Sequence, residues 1–178
     1  MFRKYLLLPL CAAIFAGCGA INEELPSYAD TSIISVGDTA PDFEATLLNG
    51  ESITLSALRT SEVLLILFSH TCPDCKNMMT DLQRYISANG TEREIMAISR
   101  GGEAAEVEAF REEHNFTFKI AADQGAEIYY KYATMYVPRC YIIDSNGTIR
   151  HITYEYSTGD IEKLMAKLNN IDWEYDPR

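Results

Sequence analysis

Six apolar residues in succession, Val63-Leu64-Leu65-Ile66-Leu67-Phe68, set the strongest constraint on what this chain can become. A strand sends alternate side chains to opposite faces, so a run with no polar interruption needs both faces covered. Strands of parallel sheets, sandwiched between other layers, meet that need. Ile95-Met96-Ala97-Ile98 is a second run of the same kind. Between and after these runs the apolar period becomes helical. Met78, Leu82, Tyr85 and Ile86 recur after Cys72, and Asn89-Gly90 supplies a stop. Residues 103–114 read as a helix with Val107 and Phe110 inward, 116–120 as a short strand and 126–133 as a helix. A last helix is expected to start near Ser157 or Thr158, both good N-caps, with Ile161, Leu164, Met165 and Leu168 on one face.

Two hairpins frame this series. Residues 42–47 and 52–55 flank Asn49-Gly50, the strongest short-range hairpin signal. Residues 140–143 and 148–152 flank Asp144-Ser145-Asn146-Gly147. The sum is an α/β chain: a central mixed β-sheet flanked by helices, preceded by an N-terminal β-hairpin. The order of the strands does not follow from this pattern.

The chain has 178 residues, of which 47% are hydrophobic and 23% charged, enough for one domain with a real core and an appendage. Such a domain does not need disulfides to hold together. Lys and Arg total 15 against 26 Asp and Glu, a net charge of −11. No basic stripe exists to neutralise phosphates, so nucleic acid is excluded as a partner.

The N-terminus reads as an address. Arg3 and Lys4 precede a short apolar run that ends in small residues, the form of an export signal and too short for a comfortable membrane span. Phe15-Ala16-Gly17-Cys18 resembles a bacterial lipobox, with Phe15 where Leu is usual. Residues 1–17 are then a lipoprotein signal peptide, 18–35 a lipidated Cys18 followed by a flexible tether, and 36–178 the folded domain. No Asp follows Cys18, which favours the outer membrane over inner-membrane retention.

The chemistry is expected in Cys72-Pro73-Asp74-Cys75. A thiol attacks as thiolate. The unpaired N–H groups and dipole of a helix start favour a negative sulfur at Cys72. Two intervening residues place Cys75 one turn later on the same side, where the sulfurs can join and where Cys75 can resolve a mixed disulfide. A zinc site would need two further ligands, and no second close pair exists, so no metal is assigned.

Val36-Gly37-Asp38-Thr39-Ala40-Pro41-Asp42-Phe43 and Tyr136-Val137-Pro138-Arg139-Cys140-Tyr141-Ile142-Ile143-Asp144, with the C-x-x-C between them, resemble the TlpA-like and ResA-like anchored thioredoxin-fold proteins, whose opening is shared with peroxiredoxins. The resemblance runs from about residue 36 to 168. It implies a thioredoxin-like fold, a cis bond at Val137-Pro138 beside the cysteines, and pairing of the Val137 backbone with an extended substrate. It also implies a thiol–disulfide oxidoreductase that acts on exported proteins with no cofactor beyond its own disulfide. The chain carries no flavin or nicotinamide motif, so an upstream electron donor is required.

Three departures bear on mechanism. Thr71 stands where the family has Trp, Ile66 where thioredoxins bury an acid, and Met78 where ResA-like proteins place a Glu. No acid at these places can take the proton of Cys75. Pro73 and Asp74 tune the pair. The Asp74 charge opposes the thiolate and points to a reducing poise, nearer about −270 mV than about −120 mV. Lys76 and His70 push the other way. Cys140 is expected in the core, His70 in solvent, and His114 and His151 on the surface. A copper-binding reading would use the C-x-x-C with His151, though copper-delivery relatives space their cysteines by three. A peroxidase reading lacks the expected Pro and Thr, where Leu65 and Ser69 stand.

Overall fold

The computed structural model describes residues 24–169. The expected signal peptide and Cys18 lie outside the described residues. Seven strands and four α-helices follow in order: β1 (Glu44–Thr46), β2 (Ser52–Thr54), α1 (Leu55–Leu58), β3 (Val63–Phe68), α2 (Pro73–Asn89), β4 (Glu94–Arg100), α3 (Ala104–His114), β5 (Lys119–Asp123), β6 (Arg139–Ile143), β7 (Ile149–Thr153) and α4 (Asp160–Asn169). β1 and β2 form the expected antiparallel hairpin. The other five strands form one mixed sheet in the order β5-β4-β3-β6-β7. β3 pairs parallel with β4 and antiparallel with β6, so the apolar run sits at the centre.

That position explains the composition of β3. Val63, Leu65 and Leu67 point into one core, and Leu64, Ile66 and Phe68 into the other, all fully buried. The three long helices share the second face: Met78, Met79 and Leu82 of α2, Val107 and Phe110 of α3, and Ile161, Leu164, Met165 and Leu168 of α4 meet there. The first face is closed by the hairpin, by α1 and by residues around Tyr129 and Tyr132. No helix among the described residues is long and apolar enough to cross a membrane.

Several elements depart from the expected boundaries. Residues 126–133 form only a single 3-10 turn, Tyr129–Lys131, because Ala126 takes a positive φ of 56° that breaks the helix at its start. The strand expected at 116–120 begins three residues later. Phe116 and Phe118 stack on each other instead, and Thr117 N–H donates to Gln83 Oε1 on α2 at 2.8 Å. The last helix starts at Asp160; its carboxylate accepts the Ser157 N–H at 2.8 Å, and Gly159 turns the chain with φ 89°. Thr54 caps α1, a helix the sequence pattern did not reveal.

The segment read as a flexible tether is docked from Pro26 onward. Thr31 and Ile34 are buried, Ser32 bridges Ala133, and the Tyr136 hydroxyl donates to the Pro26 carbonyl at 2.8 Å. Tyr28 stacks on Tyr136 with ring centroids 4.5 Å apart. Aromatic packing and these hydrogen bonds outweigh the entropy of ordering residues 26–35.

Candidate active site

The site lies at the carboxyl end of the central strand, where β3 hands over to α2. Such sheets collect their reactive groups there. Ser69, His70 and Thr71 make the turn, with the Cys72 N–H donating to the Ser69 carbonyl at 3.1 Å and a 3.0 Å hydroxyl contact between Ser69 and Thr71. Cys72 is the N-cap of α2, in extended conformation, and Pro73 is the first helical residue, where a missing N–H costs nothing. The Cys72 sulfur accepts the Cys75 N–H at 3.3 Å, taking the place of a capping oxygen.

The two cysteines differ in environment. Cys72 is half-buried and Cys75 fully buried, and both are free thiols. Burial, then the hydrogen bond to Cys72, pushes the Cys75 thiol far above its ordinary range, against the opposing influence of the Ser69 backbone. Cys75 shares its core with Met78, Ile66 and Cys140, where Ile66 and Cys140 are register partners across β3 and β6. Cys140 is buried as expected. Its sulfur sits 3.5 Å from the Met78 sulfur, and burial raises its thiol to about 12, so it stays protonated. Asp74 is exposed in the first turn of α2, where its charge also suits the helix dipole.

Across from the cysteines, the Val137–Pro138 bond is cis. Pro138 is buried, and the Val137 carbonyl lies 3.8 Å from the Cys72 sulfur. Tyr136 holds a left-handed φ of 67°. Its carbonyl accepts the Tyr129 hydroxyl at 2.8 Å, which helps maintain a conformation costing about 1 kcal/mol or more. Beside this turn an open cleft of about 570 Å³ is lined by residues 26–29, Tyr136, Tyr154 and Glu155.

The histidines are placed differently from expectation. His70 is not in solvent: its side chain is 19% exposed, its Nε2 is 4.0 Å from a Glu106 carboxylate oxygen, and its Nδ1 is buried without a partner. It fills the space above Gly102, where a Cβ would come within 2.5 Å of the ring. His114 is half-buried and packs edge-on against Phe110. His151 contacts Lys167 and is pushed down to about 4 by burial and then by that charge. Among the described residues no three of His, Cys, Asp and Glu form a metal-binding cluster. Sequence reasoning missed Tyr28 and Arg139. The only sign of Arg139 was a charged residue opening the apolar strand Arg139–Ile143.

A mixed five-stranded sheet with a C-x-x-C at the start of the helix after its central strand is the arrangement of thioredoxin-like thiol–disulfide oxidoreductases. The chain belongs to the AhpC/TSA family, whose profile matches residues 36–152. It is 31% identical over 177 residues to the thiol-disulfide oxidoreductase ResA of Oceanobacillus iheyensis, covering 96% of this chain and 88% of that one. The ResA of Geobacillus kaustophilus is also 31% identical, over 94% of this chain and 95% of its own. A provisionally assigned protein disulfide isomerase from Bacteroides thetaiotaomicron, solved in solution, superposes with a TM-score of 0.72 at 28% identity, over 78% of this chain and 91% of that one. StoA of Bacillus subtilis shares the fold, with a TM-score of 0.61 at 20% identity over 71% of this chain and 96% of its own. The chain is thus a thiol–disulfide oxidoreductase.

Proposed function

We propose that Cys72 and Cys75 carry the exchange, with Cys72 attacking and Cys75 resolving. The carrying observation is the Cys72 sulfur at the N-cap of α2. It accepts the Cys75 N–H at 3.3 Å, stands 3.8 Å from the Val137 carbonyl, and has its mate one buried turn behind. The Cys72 thiolate attacks one sulfur of a substrate disulfide. A Cys72–substrate disulfide forms and the other substrate sulfur leaves as thiolate. Cys75 then loses its proton and attacks the Cys72 sulfur, expelling the second substrate thiolate and leaving the Cys72–Cys75 disulfide. A donor returns the two electrons in a further exchange. The half-buried Cys72 sulfur is more open to a protein disulfide than the buried Cys75 sulfur, which supports this order of attack.

The Val137 backbone beside Pro138 is suited to pair with an extended substrate segment. The basic start, short apolar run and lipobox-like residues 15–18 support export and anchoring through Cys18, which makes envelope proteins with unwanted disulfides the substrate class and the poise reducing. The test is reduction of insulin with dithiothreitol as donor, together with trapping. Cys72→Ser abolishes turnover. Cys75→Ala stops at a mixed disulfide on Cys72 that mass spectrometry of the bound partner identifies. Activity surviving in Cys72→Ser would overturn the assignment.

A further inference from the structure

The open cleft beside the cis-proline turn takes no part in the sulfur chemistry, yet its place ties it to the reacting sulfur. It is lined by residues 26–29 together with Tyr136, Tyr154 and Glu155. Tyr136 directly precedes Val137, whose carbonyl lies 3.8 Å from the Cys72 sulfur. Successive residues of an extended chain advance about 3.3 Å. A substrate strand laid along Val137 with its disulfide at Cys72 therefore carries a side chain past this cleft, one or two residues from its own cysteine.

The cleft is held in shape before any ligand enters. Tyr28 stacks on Tyr136 with ring centroids 4.5 Å apart, and the Tyr154 ring lies 6.5 Å from that of Tyr28. The Tyr136 hydroxyl donates to the Pro26 carbonyl at 2.8 Å. Arg139, fully buried, ties the two segments together from the protein side. Its Nε donates to the Met135 carbonyl at 3.1 Å, and its Nη2 donates to the Tyr28 carbonyl at 2.9 Å and to the Thr31 hydroxyl at 2.5 Å. Walls fixed in this way lose little freedom on binding.

The surrounding charges select the occupant. The Arg139 guanidinium lies 5.5 and 5.4 Å from the Tyr28 and Tyr154 ring centroids, and none of the ion pairs among the described residues includes it. A substrate Lys or Arg would meet that positive charge through protein, at rings whose π-systems Arg139 already engages. A substrate carboxylate would meet Glu155, then Asp30, which accepts the Ser27 hydroxyl at 2.7 Å, on a chain of net charge −11. Both carboxylates are exposed, so water and salt screen their pull on a cation. A neutral aromatic side chain escapes both conflicts and packs on tyrosine rings.

We propose that this cleft is a specificity subsite for the exchange reaction, and that it takes an uncharged aromatic side chain of the substrate one or two residues from the cysteine that reacts with Cys72. This rests on the reading of Cys72 as the attacking sulfur. It narrows the substrate class to polypeptides with Phe, Tyr or Trp flanking the disulfide, and makes Tyr28, Tyr136 and Tyr154 the residues that determine specificity.

The test mixes the reduced full chain with short peptides whose single cysteine is paired with glutathione. Cys72 attacks that disulfide and Cys75 resolves the product, so the enzyme dithiol is oxidised to the Cys72–Cys75 disulfide while peptide and glutathione leave as thiols. Acid quench and mass spectrometry time the release of peptide thiol. A Phe is placed one or two residues before or after the cysteine in an Ala background, and Lys or Glu replaces it in the controls. At one or more of these positions Phe is expected to raise the second-order rate about tenfold over Ala, with neither Lys nor Glu matching it. In Tyr28→Ala, and in Ala29→Trp, which fills the cleft with a ring of its own, the ratio of Phe to Ala rates is expected to fall to within about twofold of unity. Equal rates for all peptides, a preference for Lys or Glu, or a Phe ratio kept in either folded variant would overturn the proposal. Where the variants lose their circular dichroism, Cys75→Ala decides. It holds a peptide with azidophenylalanine at the preferred position as a mixed disulfide on Cys72, and light is expected to join that peptide to residues 26–29, Tyr136 or Tyr154; crosslinks only to other residues refute the subsite. Release of peptide thiol at an undiminished rate by Cys72→Ser would instead remove the assignment of the attacking sulfur.

Discussion

The second half of the reaction, attack by Cys75, is expected to be governed steeply by pH. Cys75 must shed its proton before it can attack, and the buried residues that share its core, Ile66, Met78 and Cys140 among them, include no carboxylate among the described residues. An ordinary thiol value of 9.0 leaves about 1% thiolate at pH 7. Burial, the largest influence on Cys75, depresses that fraction further, and it persists when Cys72 is tied up in a mixed disulfide. The thiolate fraction then rises about tenfold per pH unit, so resolution should accelerate about tenfold from pH 7 to 8 and again to pH 9, with no plateau. The assay is stopped-flow reduction of an aromatic disulfide. A first equivalent of coloured thiolate marks attack by Cys72, and a second marks its release by Cys75. Met78→Glu, which puts a carboxylate one turn beyond Cys75, should flatten the slope. A rate for the second equivalent that levels off below pH 9 in the parent protein would show that a base is present and refute the reasoning.

Other consequences are simpler to measure. Leu65→Ala, in the fully buried centre of β3, should lower stability in urea by about 2–5 kcal/mol, because a methylene-lined void opens with no side chain free to fill it. Asp74→Asn should raise the equilibrium constant for reduction of the Cys72–Cys75 disulfide by glutathione by about threefold, since the lost charge is exposed and well screened. His151 is held neutral by the fold, with its value near 4 against 6.5 unfolded, so protons bind the unfolded chain better as pH falls. Its contribution is complete above pH 6.5 and is lost on the way down to pH 4. Allowing for partial exposure, stability should drop by about 1 kcal/mol between pH 7 and 5, and urea titrations of His151→Gln should show the acid limb flattened.

The central architecture was legible because its signals are local and mutually consistent. The unbroken run 63–68 demanded cover on both faces, and the structure alternates those residues between two cores. Asn49-Gly50 gave the first hairpin, and Asn89-Gly90 the end of α2, where Gly90 takes φ 71°. Legibility failed where the deciding contact was distant. Residues 126–133 have helical spacing, yet Asp123 captures the Tyr129 N–H at 2.8 Å and a positive φ at Ala126 interrupts the helix. Phe116 and Phe118 have strand propensity, yet they are claimed by the aromatic packing around Phe110.

The site divides along the same line. The C-x-x-C and its proline are short-range patterns, readable wherever they fall, and the cis bond was expected only from the resemblance to the TlpA-like and ResA-like proteins. The clamp around Arg139 is not readable in this way, because its partners Tyr28 and Thr31 are 111 and 108 residues away in sequence, inside a segment whose polarity reads as tether. What the sequence does carry is the misfit. In Arg139-Cys140-Tyr141-Ile142-Ile143 every other residue suits a strand buried on both faces, and a guanidinium cannot discharge itself to fit. A charge that cannot be neutralised, placed beside the residue expected to touch the reacting sulfur, has to be met by groups from elsewhere in the chain. The supposed tether is the part of the sequence with carbonyls and hydroxyls to spare, so its docking onto the active-site turn and the burial of Arg139 are one structural event.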